Sequence, residues 1–402
     1  MSQQVLLTPT IITKESLVIL ENNLVAANRV NRKFENQFVK IGNQLTIRKP
    51  NRFTVRSGAG IQVQDIAEPS VTITINKQKG VDWQFTSQDL TLTVEEFSER
   101  YIKPAMATLA NQVDFDVLQN FSGVSNFVGT PGTTPAFFST SVQLVGQRMD
   151  ENAAPQDNRT LVLNPAAYWS ISNGLTGSFV MPTAKEALVK GYLATIGNYE
   201  VYMDQNIPST SSYIHVSSNA LVSNAPASQS GSSISTVGFN STDVFQIGEV
   251  VTFGGVFAIN PQSKQSTGSL KNFVITATTS PGAASTAVLQ ISPAMVTSGP
   301  YQNVTNGTVS TAAGKVSLVT GFATASSTFV QNLAFTRDAF GLVMVPLEIP
   351  QGVDFAARET YRNISMRVVR AYDINNDVFP TRLDILYGTT VYYDELACRL
   401  GG

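Results

Sequence analysis

The N-terminal part of the chain changes from a helical to a strand-like pattern of apolar residues. Apolar residues recur at helical spacing after Thr13, which predicts a helix over residues 13–38 with Thr13 as its N-cap. Apolar and polar residues then alternate over residues 45–48 and again over residues 71–75, as they do in half-buried strands. We therefore expect one helix followed by two strands.

Between these strands lies a long excursion, residues 50–69, that is mostly polar and contains glycine. Its outgoing limb concentrates basic side chains, which are Arg48, Lys49, Arg52 and Arg56. A segment with so little apolar content cannot bury a core of its own. We expect it either to move freely or to lie on another molecule.

The strongest helix signal in the chain begins at Thr93. Thr93 and Glu96 form a capping box, and apolar residues then recur at helical spacing as far as Phe121. This predicts a helix over residues 94–121, about 42 Å long at the usual rise per residue. Pro104 should bend it, because proline removes a backbone donor. The start of this helix is acidic, with Glu95, Glu96 and Glu99.

The second half of the chain contains an abrupt change of composition. Residues 141–219 alternate helical and strand-like patterns, which is typical of an α/β layer. Residues 220–331 are instead dominated by Ser, Thr, Gly and Ala, with short strand-like runs between turn residues. Residues 245–259, for example, predict two strands around the turn residues 248–249 and 254–255. Charged, amphipathic strands return over residues 332–402. We interpret 220–331 as a small all-β domain inserted into another domain.

The composition offers little for catalysis or for binding a metal or cofactor. The chain has one cysteine, Cys398, and one histidine, His215, so Cys-rich and His-rich metal sites are excluded. Asp114 and Asp116 point to different faces of the predicted helix, so we expect them at solvent or at an interface. We predict a protein that is not an enzyme, with no catalytic residues, no cofactor and no metal.

Charge and hydropathy limit the partners. The chain has 27 basic and 29 acidic residues, a formal net charge of −2, which argues against a general nucleic-acid-binding face. No apolar run is long enough to cross a bilayer, so we expect no membrane partner.

Two local motifs carry a resemblance to a known family. They are Leu-Ala-Asn-Gln-Val-Asp at residues 109–114 and Gly-Glu-Val-Val-Thr-Phe-Gly-Gly-Val at residues 248–256. With the order of the predicted elements, they resemble the major capsid proteins of tailed bacteriophages with the HK97-type fold, specifically the P22-like coat proteins. The resemblance covers nearly the whole chain and depends more on domain order than on single residues.

The resemblance implies an α+β, HK97-like fold with an inserted small β-barrel domain. Its parts would be an N-terminal arm and helix (1–43), an extended E-loop with flanking strands (44–89), a P-domain spine helix and loop (90–140), an A-domain (141–219), the inserted domain (220–331), and returning A- and P-domain strands (332–402).

The function implied is that of a coat protein forming the icosahedral shell around a double-stranded DNA genome. Its partners would be itself in hexamers and pentamers, a scaffolding protein, a portal protein, decoration proteins and the packaged DNA. It would be assembled in the host bacterial cytoplasm as a precursor shell that expands on packaging, and it would end in the virion.

In this family the E-loop reaches a neighbouring subunit's spine helix. The resemblance therefore predicts intersubunit pairing of the basic limb (Arg48, Lys49, Arg52, Arg56) with a neighbour's Glu95, Glu96 and Glu99, while Thr93 and Pro104 shape the helix. Two other classes stay open at this point. They are an encapsulin-like compartment shell and a β-rich phage fibre or adhesin protein.

Overall fold

The computed structural model of the chain is a strand-rich α+β protein, which confirms the predicted fold class. It describes residues 9–33, 43–61, 63–64, 66, 68–86, 98–136, 140–175, 195–211, 221–222, 229–240, 243–282, 285–305, 316–320, 328–353 and 355–401. The α-helices in these ranges are α1 (Pro9–Asn23), α2 (Lys103–Leu118), α3 (Val142–Glu151) and α4 (Pro165–Leu175).

The strands in the described ranges are β1 (Gln44–Arg48), β2 (Ser70–Thr74), β3 (Lys77–Thr86), β4 (Phe127–Gly129), β5 (Arg159–Leu163), β6 (Thr195–Ile196), β7 (Tyr199–Met203), β8 (Ser209–Ser211), β9 (Leu221–Val222), β10 (Gly231–Val237), β11 (Val250–Ile259), β12 (Ser266–Ile275), β13 (Thr286–Met295), β14 (Val316–Leu318), β15 (Thr328–Thr336), β16 (Phe340–Met344), β17 (Phe355–Tyr361), β18 (Ile364–Arg370), β19 (Val378–Val391) and β20 (Ala397–Gly401).

The chain divides into two compact units. Unit 1 comprises Met1–Arg48, Ser70–Val117 and Phe340–Thr390. Unit 2 comprises Lys49–Pro69, Leu118–Ala339 and Val391–Gly402. No helix in the described ranges is both long and apolar enough to cross a membrane.

Unit 1 contains the predicted strand pair and a larger sheet. The pair β1–β2 is antiparallel, with Leu45 opposite Ile73, and Ile73 is fully buried with Val343. The larger sheet has the order β16-β19-β18-β17, and β3 pairs with β19 along its whole length. Alternation of apolar residues in residues 45–48 and 71–75 therefore predicted both strands correctly.

The first helix differs from its prediction. It begins at Pro9, a residue favoured in a first helical turn, and Thr13 lies inside it, where its hydroxyl donates to the Pro9 carbonyl at 2.7 Å. It ends at Asn23 because the amides of Val25 and Ala27 donate to the Asp114 carboxylate instead of continuing the helix. The predicted cap at Thr13 and the predicted extension over residues 24–33 were wrong, and residues 34–38 lie outside the described ranges.

Unit 2 contains two sheets. One has the order β4-β20-β15-β5-β7-β6 with β8 added beside β15, and its core packs α3 and α4 against β5 and β7. The other is a six-stranded sheet, β14-β11-β12-β13-β10-β9, with a core built around Phe245, Phe253 and Phe273. All strands of the second sheet lie within the predicted insert, whose boundaries at 220 and 331 stay a prediction.

Strand β11 runs straight through a segment that the sequence pattern divided in two. The glycines at 254 and 255 were expected to separate two strands. Instead the pairing with β12 shifts register between Thr252 and Phe257, and Gly255 adopts a φ of 81°, which glycine tolerates. The glycines therefore form a bulge within one strand.

Candidate assembly interface

The extended loop, residues 49–69, consists of two limbs that are bonded to each other. At its base the Lys49 amide donates to the Pro69 carbonyl at 2.7 Å. Further out, the Gln64 side chain accepts from the Thr54 amide at 2.8 Å and donates to the Thr54 carbonyl at 2.6 Å. The limbs are thus joined by backbone and side-chain bonds without a packed core.

The four basic residues of the outgoing limb do not form one cluster. Arg48 is exposed at the end of β1. Arg56 turns back on the loop and donates to the carbonyls of Gly58 and Gly60. Lys49 and Arg52, in contrast, both contact the segment just before β20. The structure therefore separates these two residues from Arg48 and Arg56, which are exposed.

Arg52 is the best-anchored residue of the loop. Its guanidinium forms a two-pronged pair with Glu395, with Nη2 to Oε2 at 2.5 Å and Nη1 to Oε1 at 3.4 Å. Burial acts to lower the pKa of Arg52, but the hydrogen bond and charge of Glu395 outweigh it and raise that pKa above its ordinary value. Arg52 therefore stays protonated, and its charge is balanced by Glu395. We call residues 49–52, where this pair forms, the loop root.

A second contact fixes the neighbouring residue. The Tyr301 hydroxyl donates to Asn51 Oδ1 at 2.6 Å and also accepts from the Arg52 amide at 3.4 Å. The turn that presents Tyr301 is itself held by Lys264, whose Nζ donates to the Pro300 carbonyl at 2.6 Å. The six-stranded sheet thus contributes one side of the loop root.

Lys49 completes the root. Its ammonium lies 4.7 Å from the centroid of the Tyr393 ring, a cation–π distance. Burial lowers the pKa of Lys49, while the charges of Asp394 and Glu395 oppose that shift. Burial and the neighbouring Glu395 raise the pKa of Asp394. The loop root is therefore a compact, mixed-charge cluster belonging to unit 2.

Beyond its root the loop exposes more apolar side chains than the expectation of a mostly polar excursion suggested. Five of them are between 66% and 98% exposed, namely Phe53, Val55, Ile61, Val63 and Ile66. The alternation of Phe53 with Val55, and of Ile61 with Val63, was a signal in the sequence that could have identified them. Exposed apolar residues on so slender a segment are typical of an interaction surface.

The predicted spine helix lies partly outside the described residues, as do Thr93, Glu95 and Glu96. Glu99 belongs to a π-helical turn, Ser98–Ile102, that leads into α2. Pro104 lies in the first turn of α2, where its missing amide is tolerated, and the π-helical turn directly precedes that α-helix. After α2 the chain continues as a 3₁₀ turn, Gln119–Gly123. The capping box, the acidic cluster and the geometric role of Pro104 stay predictions.

Asp114 and Asp116 do not lie at solvent or at an interface, so that expectation was wrong, and they do not share a site. Both are buried within unit 1. Asp114 accepts from the amides of Val25 and Ala27 at 2.7 and 2.8 Å. Asp116 accepts from the Tyr387 hydroxyl at 2.6 Å and pairs with Lys77 at 3.4 Å. Their role is to hold the subunit together.

Arg399 is a buried cation that the sequence pattern did not reveal. It donates to the carbonyls of Val124 and Gly248, both at 2.7 Å, and lies over the Phe121 ring. Burial lowers the pKa of Arg399 to about 9 and raises that of the adjacent Cys398 thiol to about 12. Arg399 thus joins β20 to the start of β11, the first long strand of the six-stranded sheet.

Comparison with known proteins agrees with this architecture. The chain superposes on a structure from Mycobacterium phage Che8 with a TM-score of 0.50 and 12% identity, covering 94% of this chain and 90% of that one. The family model described as "P22 coat protein - gene protein 5" matches residues 216–399. The chain is therefore similar to the P22 coat protein over the matched residues, and it shares its fold with the Che8 structure.

Other solved structures resemble the chain at lower similarity. The capsid of Ralstonia phage GP4 has a TM-score of 0.47 and 7% identity, covering 92% of this chain and 85% of that chain. The mature capsid of bacteriophage PhiM1 has a TM-score of 0.42 and 9% identity, covering 89% and 82%. No curated protein matches the sequence.

These comparisons show the fold and a likeness to a coat-protein family over part of the chain. Among the described segments, the extended loop with its exposed apolar side chains is the candidate interaction surface.

Proposed function

We propose that this chain is a major capsid protein of a tailed phage. It forms hexamers and pentamers that close into an icosahedral shell around double-stranded DNA. The shell first assembles with a scaffolding protein and a portal protein at one vertex, and it expands as DNA is packaged. Decoration proteins bind the finished shell. The observation that carries the proposal is the extended loop, whose apolar side chains are largely exposed in the isolated subunit.

The extended loop docks on a neighbouring subunit in this proposal. Burying an exposed aliphatic side chain contributes about 1.5–3 kcal/mol, so the five apolar residues offer substantial association energy even after ordering costs. A shell repeats the same contact in every subunit, and a modest energy per contact is enough to drive closure.

Charge contributes to the register of this docking. Arg48 and Arg56 are exposed on the outgoing limb and are suited to meet a neighbour's acidic helix start at Glu95, Glu96 and Glu99. Pairs of this kind contribute roughly 0–1 kcal/mol each, so they select an orientation and add little to affinity.

The low net charge suits a DNA container. A strongly basic wall would bind phosphates tightly and would resist the movement of DNA during packaging. A subunit of formal net charge −2 avoids this.

The test is co-expression of the full chain with its scaffolding protein, followed by electron microscopy of the purified particles. Wild type should give uniform polyhedral shells. Val55→Asp combined with Val63→Asp should give folded subunits with few shells, because charges on the loop cannot be buried. The matched control is Val288→Asp, an exposed valine on the six-stranded sheet. Normal shells from the double variant would refute docking through the loop.

A further inference from the structure

Three separate parts of unit 2 meet at the root of the extended loop. The loop supplies Asn51 and Arg52, the turn following β13 supplies Tyr301, and the turn before β20 supplies Glu395. Arg52 is 343 positions from Glu395 and 249 positions from Tyr301. Segments that are far apart in the sequence therefore converge on two adjacent loop residues. We refer to the contacting residues, Asn51, Arg52, Tyr301 and Glu395, as the root clamp.

The geometry of the root clamp restricts rotation of the loop. A two-pronged guanidinium–carboxylate pair fixes orientation as well as distance, unlike a single ion contact. Its side chains are 32% and 19% exposed, so water screens the pair only in part. The bonds of the Tyr301 hydroxyl to Asn51 and to the Arg52 amide fix the backbone at the same point.

Outside the clamp, the loop is stiffened by contacts within itself. Gln64 joins the two limbs through Thr54, and Arg56 closes the tip through Gly58 and Gly60. A segment that is internally linked and held only near its base turns as one piece, because a small rotation at the base moves the tip by a large distance. The direction of the apolar tip is therefore set at the clamp.

We propose that Glu395 and Tyr301 are positioning residues that aim the extended loop at the neighbouring subunit. Arg52 is then an intrasubunit residue, and the pairing of the basic limb with a neighbour involves other members. This inference rests on the proposed docking of the loop, and it differs from the sequence-based hypothesis that Arg52 pairs with a neighbour's Glu95 or Glu99.

Charge reversal separates the two hypotheses. Arg52→Glu alone and Glu395→Arg alone should each lower the yield of shells about fivefold or more, the factor that corresponds to roughly 1 kcal/mol per contact. The combination of both reversals should restore it. Rescue of Arg52→Glu by Glu95→Lys with Glu99→Lys, but not by Glu395→Arg, would overturn the clamp.

A second measurement covers the case in which a reversed subunit fails to fold. Glu395→Gln and Tyr301→Phe are mild changes, and hydrogen exchange in unassembled subunits should become faster over residues 49–56 in both variants. The control segment is residues 159–163, in β5, where exchange should not change. Unchanged exchange over residues 49–56 in Glu395→Gln would show that no clamp restrains the loop.

The outcome also separates this inference from the proposed docking. If Val55→Asp with Val63→Asp assembles normally, the loop is not an assembly element and both ideas fail. If that variant fails to assemble while Glu395→Arg assembles normally, docking stands and only the aiming role is refuted.

Discussion

Asp114 in unit 1 and Glu395 in unit 2 are both carboxylates that join distant parts of the chain, but they do so in different environments. Asp114 is 1% exposed and accepts two backbone amides. Glu395 has a side chain that is 19% exposed, and it binds another side chain. A buried carboxylate on backbone amides leaves unsatisfied donors when it is removed, whereas water can replace a partner of an accessible ion pair.

The difference in burial indicates that the Asp114 contact and the Arg52–Glu395 pair have different roles. The Asp114 contact ends α1 and determines how the chain proceeds from it, so it contributes to the fold itself. The Arg52–Glu395 pair determines the direction of a segment that has no core, so its effect should appear mainly when subunits meet. We therefore expect stability to depend on the first contact and assembly to depend on the second.

The largest expected effect on stability is that of Asp114→Ala. The change leaves the amides of Val25 and Ala27 without their acceptor in a buried site, and bonds to charged groups are worth about 1.5–3 kcal/mol each. We expect a loss of roughly 3 kcal/mol in the free energy of unfolding, measured by chemical denaturation of unassembled subunits. Asp114→Asn, which keeps one acceptor, should lose less.

The control for this prediction is Asp157→Ala, which removes an exposed aspartate. Surface changes of that kind usually stay within about 0.5 kcal/mol. Equal stability of the Asp114 and Asp157 variants would contradict the assignment of Asp114 as a structural tether.

Tyr387→Phe should have a smaller effect of the same kind. The phenol is fully buried and donates to Asp116, and burial and this carboxylate raise the pKa of Tyr387, so the hydroxyl stays a donor throughout the usual pH range. Asp116 keeps Lys77 as a partner, so we expect a loss of about 1–2 kcal/mol by the same denaturation assay. Tyr202→Phe is the matched control, because its hydroxyl bonds to Glu200 at the surface. Indistinguishable losses from the two variants would show that burial of the phenol adds nothing.

Much of the fold could be predicted from the sequence where the signal was local. Alternation of apolar residues identified β1 and β2, and helical spacing identified α3. The prediction of α1 failed because its end depends on Asp114, which is 89 and 87 positions away from the amides it binds. The prediction of two strands around residues 254–255 failed because glycine permits either a turn or a bulge, and pairing with β12 favours the bulge.

The candidate site was predictable only in part, for the same reason. Composition and resemblance pointed to the extended loop and to its basic limb. No local pattern could show that Arg52 meets Glu395, since that contact depends on the folding of the two sheets of unit 2 around the loop root. Sequence reasoning identified the exposed loop but could not identify the residues that hold its root.

The smallest expected effect on stability is that of breaking the Arg52–Glu395 pair. This measurement tests most directly whether the pair, unlike Asp114, contributes little to the stability of the fold. A double-mutant cycle with Arg52→Ala, Glu395→Ala and both changes, measured on unassembled subunits, should give a coupling free energy of no more than about 1 kcal/mol. The coupling should fall as salt is raised to 1 M, where the screening length is about 3 Å. The same variants should nevertheless assemble poorly, because the loop is misdirected. A coupling above about 2 kcal/mol that resists salt would place this pair with Asp114 among the contacts that maintain the fold, and the distinction between the two carboxylates would then be lost.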